Sequence, residues 1–126
     1  MAVALDETQT GTAESATSVA TASITGVTGD LYLVCAASRP SNAATGASGL
    51  GLTWTLLESQ CGGRDQTLID VFWAQGTVSG SGAVTVSYGT TVTALVAAVS
   101  KFSGVHASAP IGNTISQNTV GANDAT

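Results

Sequence analysis

The sequence predicts an all-β chain, a two-sheet antiparallel sandwich of jelly-roll type, and three observations carry that expectation. Short runs rich in Val, Thr, Ile and Ala recur along the chain, and clusters of Gly, Ser, Asn and Asp separate them at intervals of about ten residues. No window shows apolar residues recurring at helical spacing. With 126 residues there is room for one core, so residues 1–126 are expected to form a single domain.

The elements follow in order. Val3 to Asp6 reads as a first strand, Glu7 to Glu14 as a polar stretch, and Ser18 to Ile24 as a second strand. Gly29-Asp30 turns the chain into Leu31 to Ser38, whose apolar residues of both parities predict a central strand buried on both faces. Arg39 to Gly51 has loop composition and is expected at an end of the sandwich, free to vary, like the turn at Gly62-Gly63. Leu52 to Ser59 and Thr67 to Gln75 pair as a hairpin. In the latter, Ile69, Val71 and Trp73 share one face and Leu68, Asp70 and Phe72 the other. Because an unpaired buried carboxylate is costly, Asp70 marks the second face as the wetter one.

Gly76 to Gly82 is a turn, Val84 to Tyr88 alternates as a half-buried strand, and Thr91 to Phe102 is the longest apolar run, hence the other central strand. These assignments place Leu33, Cys35, Trp54, Val71, Trp73, Val96 and Phe102 in the core. After Gly104 the chain turns polar, and only Ile111, Ile115 and Val120 are available to anchor it, with a weak strand near Asn113 to Val120.

Hydrophobic residues make up 44% of the chain and charged residues 9%, so Ser, Thr, Gly, Asn and Gln must cover the surface. Such a surface suits packing against copies of itself, since little charge repulsion opposes association. Only Arg39, Arg64 and Lys101 oppose eight acids, for a net charge of -5. That balance excludes a footprint for nucleic-acid phosphates. The first twelve residues lack the pattern of a secretory leader, and no apolar run approaches the roughly 20 residues of a spanning helix, so membrane insertion is not expected. Packaging into a virion would need no leader.

Little chemistry is legible. The one histidine, His106, sits in a loop without an evident Asp partner, and with Cys35 and Cys61 it shows no zinc-ligand spacing. Glu58, Asp65 and Asp70 fall in or beside one hairpin, where two carboxyl groups facing across a cleft would be needed for glycoside hydrolysis. Calcium could use the same oxygens with Asp30, but no D-x-D-x-D-G loop is present. Gly49-Leu-Gly51 and Gly80-Ser-Gly82 open no helix and read as turns. We therefore expect no catalytic residues, no metal and no cofactor. Tyr32, Trp54, Trp73 and Tyr88 lie within strands and read as core, with Trp54 and Trp73 as the candidates for stacking on sugar rings. Cys35 reads as a small buried hydrophobe and Cys61 as an exposed turn thiol. Were the two joined, the closed loop would contribute about 3 to 4 kcal/mol.

The stretches Gly29-Asp-Leu-Tyr-Leu-Val-Cys-Ala-Ala-Ser-Arg39, Leu52-Thr-Trp-Thr-Leu-Leu57, Val71-Phe-Trp-Ala-Gln75 and Ala97 to Ile111 stand in an order that resembles a loose family of β-sandwich modules. Phages and environmental bacteria encode these modules, often in virion or cell-surface proteins. Phe102-Ser-Gly-Val-His106 matches the family's corner, with His106 where an Asp is more usual. Members of that family continue past the corner with further apolar strands, so the chain is expected to be either trimmed or completed by a neighbouring subunit. Residues 111–126 hold only Ile111, Ile115 and Val120 as large apolar residues and are expected to extend onto such a neighbour, contributing backbone hydrogen bonds there. The resemblance also implies a virion or extracellular location. There the chain would serve as a structural or adhesive protein, such as a capsid decoration, tail or filament subunit, whose partners are copies of itself or other surface proteins. The alternative is a carbohydrate-binding sandwich with glycans as partners.

Overall fold

The computed structural model describes residues 2–62 and 66–116. Its six strands are β1 (Ala4–Ala20), β2 (Leu31–Arg39), β3 (Ala44–Ser48), β4 (Thr55–Cys61), β5 (Leu68–Gln75) and β6 (Thr85–Ser103), with no helix among the described residues. All pair antiparallel in one hydrogen-bonded sheet of order β1-β6-β2-β5-β4, with β3 attached to β6. β2 and β6 lie inside this order, as their two-sided apolar pattern predicts.

Several boundaries differ from expectation, each for a physical reason. The polar stretch Glu7 to Glu14 is not a break but part of β1, because Thr8, Thr10, Thr12 and Glu14 point to solvent while Gln9, Gly11 and Ala13 alternate inward. Val84 to Tyr88 and Thr91 to Phe102 likewise merge into β6 across Gly89-Thr90. β6 therefore changes neighbours along its length: Thr85 to Tyr88 sits between β1 and β3, whereas Ala94 to Phe102 sits between β1 and β2. The N-terminal strand bends where Ser15 takes a positive φ of 47° and the register slips between Ala16 and Ser18. Past the bend the chain returns over its own beginning, and the Ala22 N–H donates to Thr10 O at 2.9 Å. Gly11 permits this crossing, since a Cβ there would overlap the Ala20 carbonyl.

The region 39–51 is not a free loop. It contains β3, buries Leu50, and the Ala44 N–H donates to Asp70 Oδ2 at 2.9 Å. An insertion after Gly46 would thus interrupt a paired strand. The hairpin of β4 and β5 is as expected, closed by the Gly62 N–H donating to Thr67 O at 2.7 Å. Residues 113–116 are not strand, and the remainder of the expected Asn113–Val120 strand lies outside the described residues.

The core is the largest correction. The inner face of the sheet carries Tyr32, Val34 and Ala36 from β2, Phe72 and Ala74 from β5, and Leu95, Ala97 and Val99 from β6, all buried. Val19, Ile24, Leu50, Val84, Val86 and Tyr88 close over them. Six of the seven expected core residues, Leu33, Cys35, Val71, Trp73, Val96 and Phe102, instead belong to the opposite face. Cys35 is exposed and Val96 is 51% exposed. Trp54 packs partly buried against the core. For Val71 and Trp73 the reason is Asp70, which is 1% exposed and lies on the buried face because a backbone donor meets it there, while on β2 and β6 both faces are apolar and the other one is covered.

Candidate functional site

Pleating sends alternate residues to opposite faces, so the strand registers define the outer face row by row. The first row is Glu14–Ala94–Arg39, on β1, β6 and β2. The second is Thr12–Val96–Ala37–Ile69–Gln60 and the third Thr10–Ala98–Cys35–Val71–Glu58, each running from β1 to β4. The fourth is Thr8–Ser100–Leu33–Trp73–Thr55. The ten residues of the two middle rows include a single charge, Glu58 at the margin. Val96 and Ile69 are 51% and 45% exposed, with Cys35 open between them. On β1 the threonines form a hydroxyl ladder, and Thr8 Oγ1 shares a hydrogen bond with Ser100 Oγ at 3.0 Å.

Part of this face is covered by the chain that leaves β6. Gln75 Nε2 donates to the His106 carbonyl at 3.1 Å, and Thr114 Oγ1 donates to Glu58 Oε1 at 2.9 Å. Residues 114–116 thus lie against the protein's own β4 and β5. Ile115 lines a groove there with Ile69 and Val71 yet stays 89% exposed, and Ile111 is half-buried. Val120 lies outside the described residues. The strip formed by β1, β6 and the lower part of β2 is the portion left open.

The remaining candidates are dispersed. Glu58 pairs opposite Val71 on the outer face, while Asp70 pairs opposite Ser59 on the inner one, so the sheet itself separates the two carboxylates. Asp65 lies outside the described residues. Cys35 and Cys61 are not joined: β5 stands between their strands, and they sit opposite Val71 and Leu68, three positions apart. Two strand spacings alone put their backbones about 9 to 10 Å apart, beyond disulfide reach. Among the described residues no three His, Cys, Asp or Glu side chains converge as metal ligands. His106 Nδ1 accepts the N–H groups of Ser108 and Ala109 at 3.2 and 3.0 Å, a turn-forming acceptor role that a carboxylate could also fill. Trp54 Nε1 donates to the Gly49 carbonyl at 3.2 Å, which leaves Trp73 as the tryptophan on the outer face.

Two buried polar groups escaped the sequence reading. Tyr88 Oη is buried without a hydrogen-bond partner, and burial, with the Asp70 carboxylate adding to it, pushes its pKa up to about 12. Lys101 is 7% exposed on the inner face, opposite Glu7 on β1. The Glu7 carboxyl is held below its ordinary value, chiefly by the Thr25 backbone N–H that donates to it at 3.0 Å. No helix among the described residues is long and apolar enough to cross a membrane. Compared with known proteins, the chain matches no family model, no curated protein and no solved structure.

Proposed function

We propose that the chain is a structural module of a virion or an extracellular surface assembly, acting by packing its subunits through the open strip of its sheet. The observation that carries this reading is the exposure of Val96 and Cys35 in the middle of a neutral, regular β surface. Contiguous apolar patches on soluble proteins mark interaction sites more often than isolated apolar residues do. A charge content of 9% supports it, because copies approach one another with little repulsion. In this reading the sheet, folded over where β1 bends at Ser15, serves as the two layers of a jelly-roll-like sandwich. The resemblance of the corner Phe102-Ser-Gly-Val-His106 to phage and bacterial surface modules points the same way.

Sedimentation velocity over a wide range of concentration, with electron microscopy of the concentrated protein, tests the proposal. Oligomers or ordered assemblies are expected, and a monomer at every concentration would refute self-packing. The carbohydrate-binding reading rests on Trp73, which is half-exposed beside Leu33 and Thr55 on the same row. A glycan array that stays blank would remove it.

A further inference from the structure

We propose that a second copy of this chain packs outer face against outer face, about a two-fold axis that runs along β6. The inference rests on the reading that the protein works by subunit packing and names the partner and the geometry. Glu14 and Arg39 occupy one row, on either side of Ala94. Both side chains are exposed, and among the described residues no ion pair joins them within one copy.

A two-fold along β6 keeps every row at its own height and exchanges β1 with β2. Glu14 of each copy then faces Arg39 of the other, twice over. In the rows above, Thr12 faces Ala37, Thr10 faces Cys35, and Val96 and Ala98 meet their own counterparts on the axis. An axis running across the strands would instead reverse the rows and bring Glu14 and Arg39 over the far end of the sheet. The single opposite-charge row therefore selects one self-complementary arrangement, as an isologous contact requires.

The small side chains along the axis and on β2, Ala94, Ala98, Ala37 and Cys35, let two sheets approach as in a sandwich core. The open strip measures about 15 by 20 Å, three strands by four rows. That is well short of the roughly 800 Å² per partner of a standard interface. The pair is accordingly weak by itself and becomes effective when repeated in an array.

Charge reversal of the full-length protein provides the test, read by sedimentation equilibrium. Wild type forms a concentration-dependent dimer. Glu14→Arg alone places two arginines face to face, and Arg39→Glu alone two glutamates, so each weakens dimerisation about tenfold or more. An equimolar mixture of these two variants regains wild-type association as a heterodimer, and the double variant regains it as a homodimer. Val96→Lys abolishes the dimer. All three positions are exposed, and circular dichroism confirms that the variants fold. If the single variants associate like wild type, or if mixing restores nothing, the axis is wrong. Larger assemblies that survive Val96→Lys and both charge reversals would leave subunit packing standing and overturn only the two-fold. A wild-type chain that stays monomeric at every concentration would overturn both.

Discussion

The two faces of the sheet are built from alternate residues of the same strands, and they are almost equally apolar. On β2 the inner set is Tyr32, Val34 and Ala36 and the outer set Leu33, Cys35 and Ala37. On β6 the inner set is Leu95, Ala97 and Val99 and the outer set Val96 and Ala98. The inner set is buried by the returning ends of β1 and β6 and by Leu50, while the outer set meets solvent except where residues 105–116 cross it. Side-chain polarity does not separate the faces; the presence of a cover does. An apolar face that its own chain leaves open is spare binding capacity.

The sharpest way to break the comparison is to truncate one residue on each face. Phe72→Ala, on the inner face, should cost about 3 to 5 kcal/mol in chemical denaturation. Val96→Ala, on the outer one, should stay within about 0.5 kcal/mol. Equal losses would show that the outer face is covered in the monomer.

Next in size is Asp70→Ala. It removes the acceptor of the Ala44 N–H in a buried setting and should destabilise the protein by about 2 to 3 kcal/mol. Amide exchange should quicken over β3 before the other strands, and uniform quickening would deny Asp70 its tethering role.

Tyr88→Phe works in the opposite direction. Deleting a buried hydroxyl without a partner should stabilise the fold by about 1 kcal/mol near neutral pH. The raised pKa of Tyr88 means its contribution is complete below about pH 10 and is lost as pH climbs toward 12. Alkaline unfolding should therefore shift upward in the Phe variant, and an unchanged alkaline limb would refute this.

Smallest is Glu7→Gln. The lowered pKa of Glu7 gives stability that is present above its ordinary value of 4.5 and lost as pH falls through the lower folded value. The variant should flatten the acid limb slightly and leave thermal stability at pH 7 nearly unchanged. A large loss at neutral pH would assign Glu7 a packing role instead.

Strand identity was largely legible because period-two alternation and Gly-rich turns are local signals. The β4–β5 hairpin, the central places of β2 and β6 and the all-β class all follow from them. Which face becomes the core was not legible, since Val34 and Cys35 differ by one position and the deciding contacts come from distant residues. Asp70 pointed the wrong way because its partner, the Ala44 N–H, lies 26 residues away in a segment with loop composition. β3 itself escaped notice for the same reason: Ala-Thr-Gly-Ala-Ser has no strand signature and is held by β6. The open strip carries a signal that could have been read, the run Thr8-Gln-Thr-Gly-Thr12 with hydroxyls at every second position.

β6 is the shared neighbour of β1, β2 and β3, and the pairing of Ala4 with Ser103 joins positions nearly the whole sheet apart in sequence. During synthesis, β1 therefore leaves the ribosome long before any strand can receive it. It waits as an extended ribbon while about 80 further residues are made. Such high contact order makes folding slow and concentrates it into a late event, the insertion of β6 between strands already present. A nascent or truncated chain that ends before Thr85 presents every edge β6 would have occupied, so it should bind chaperones or aggregate where the finished chain does not.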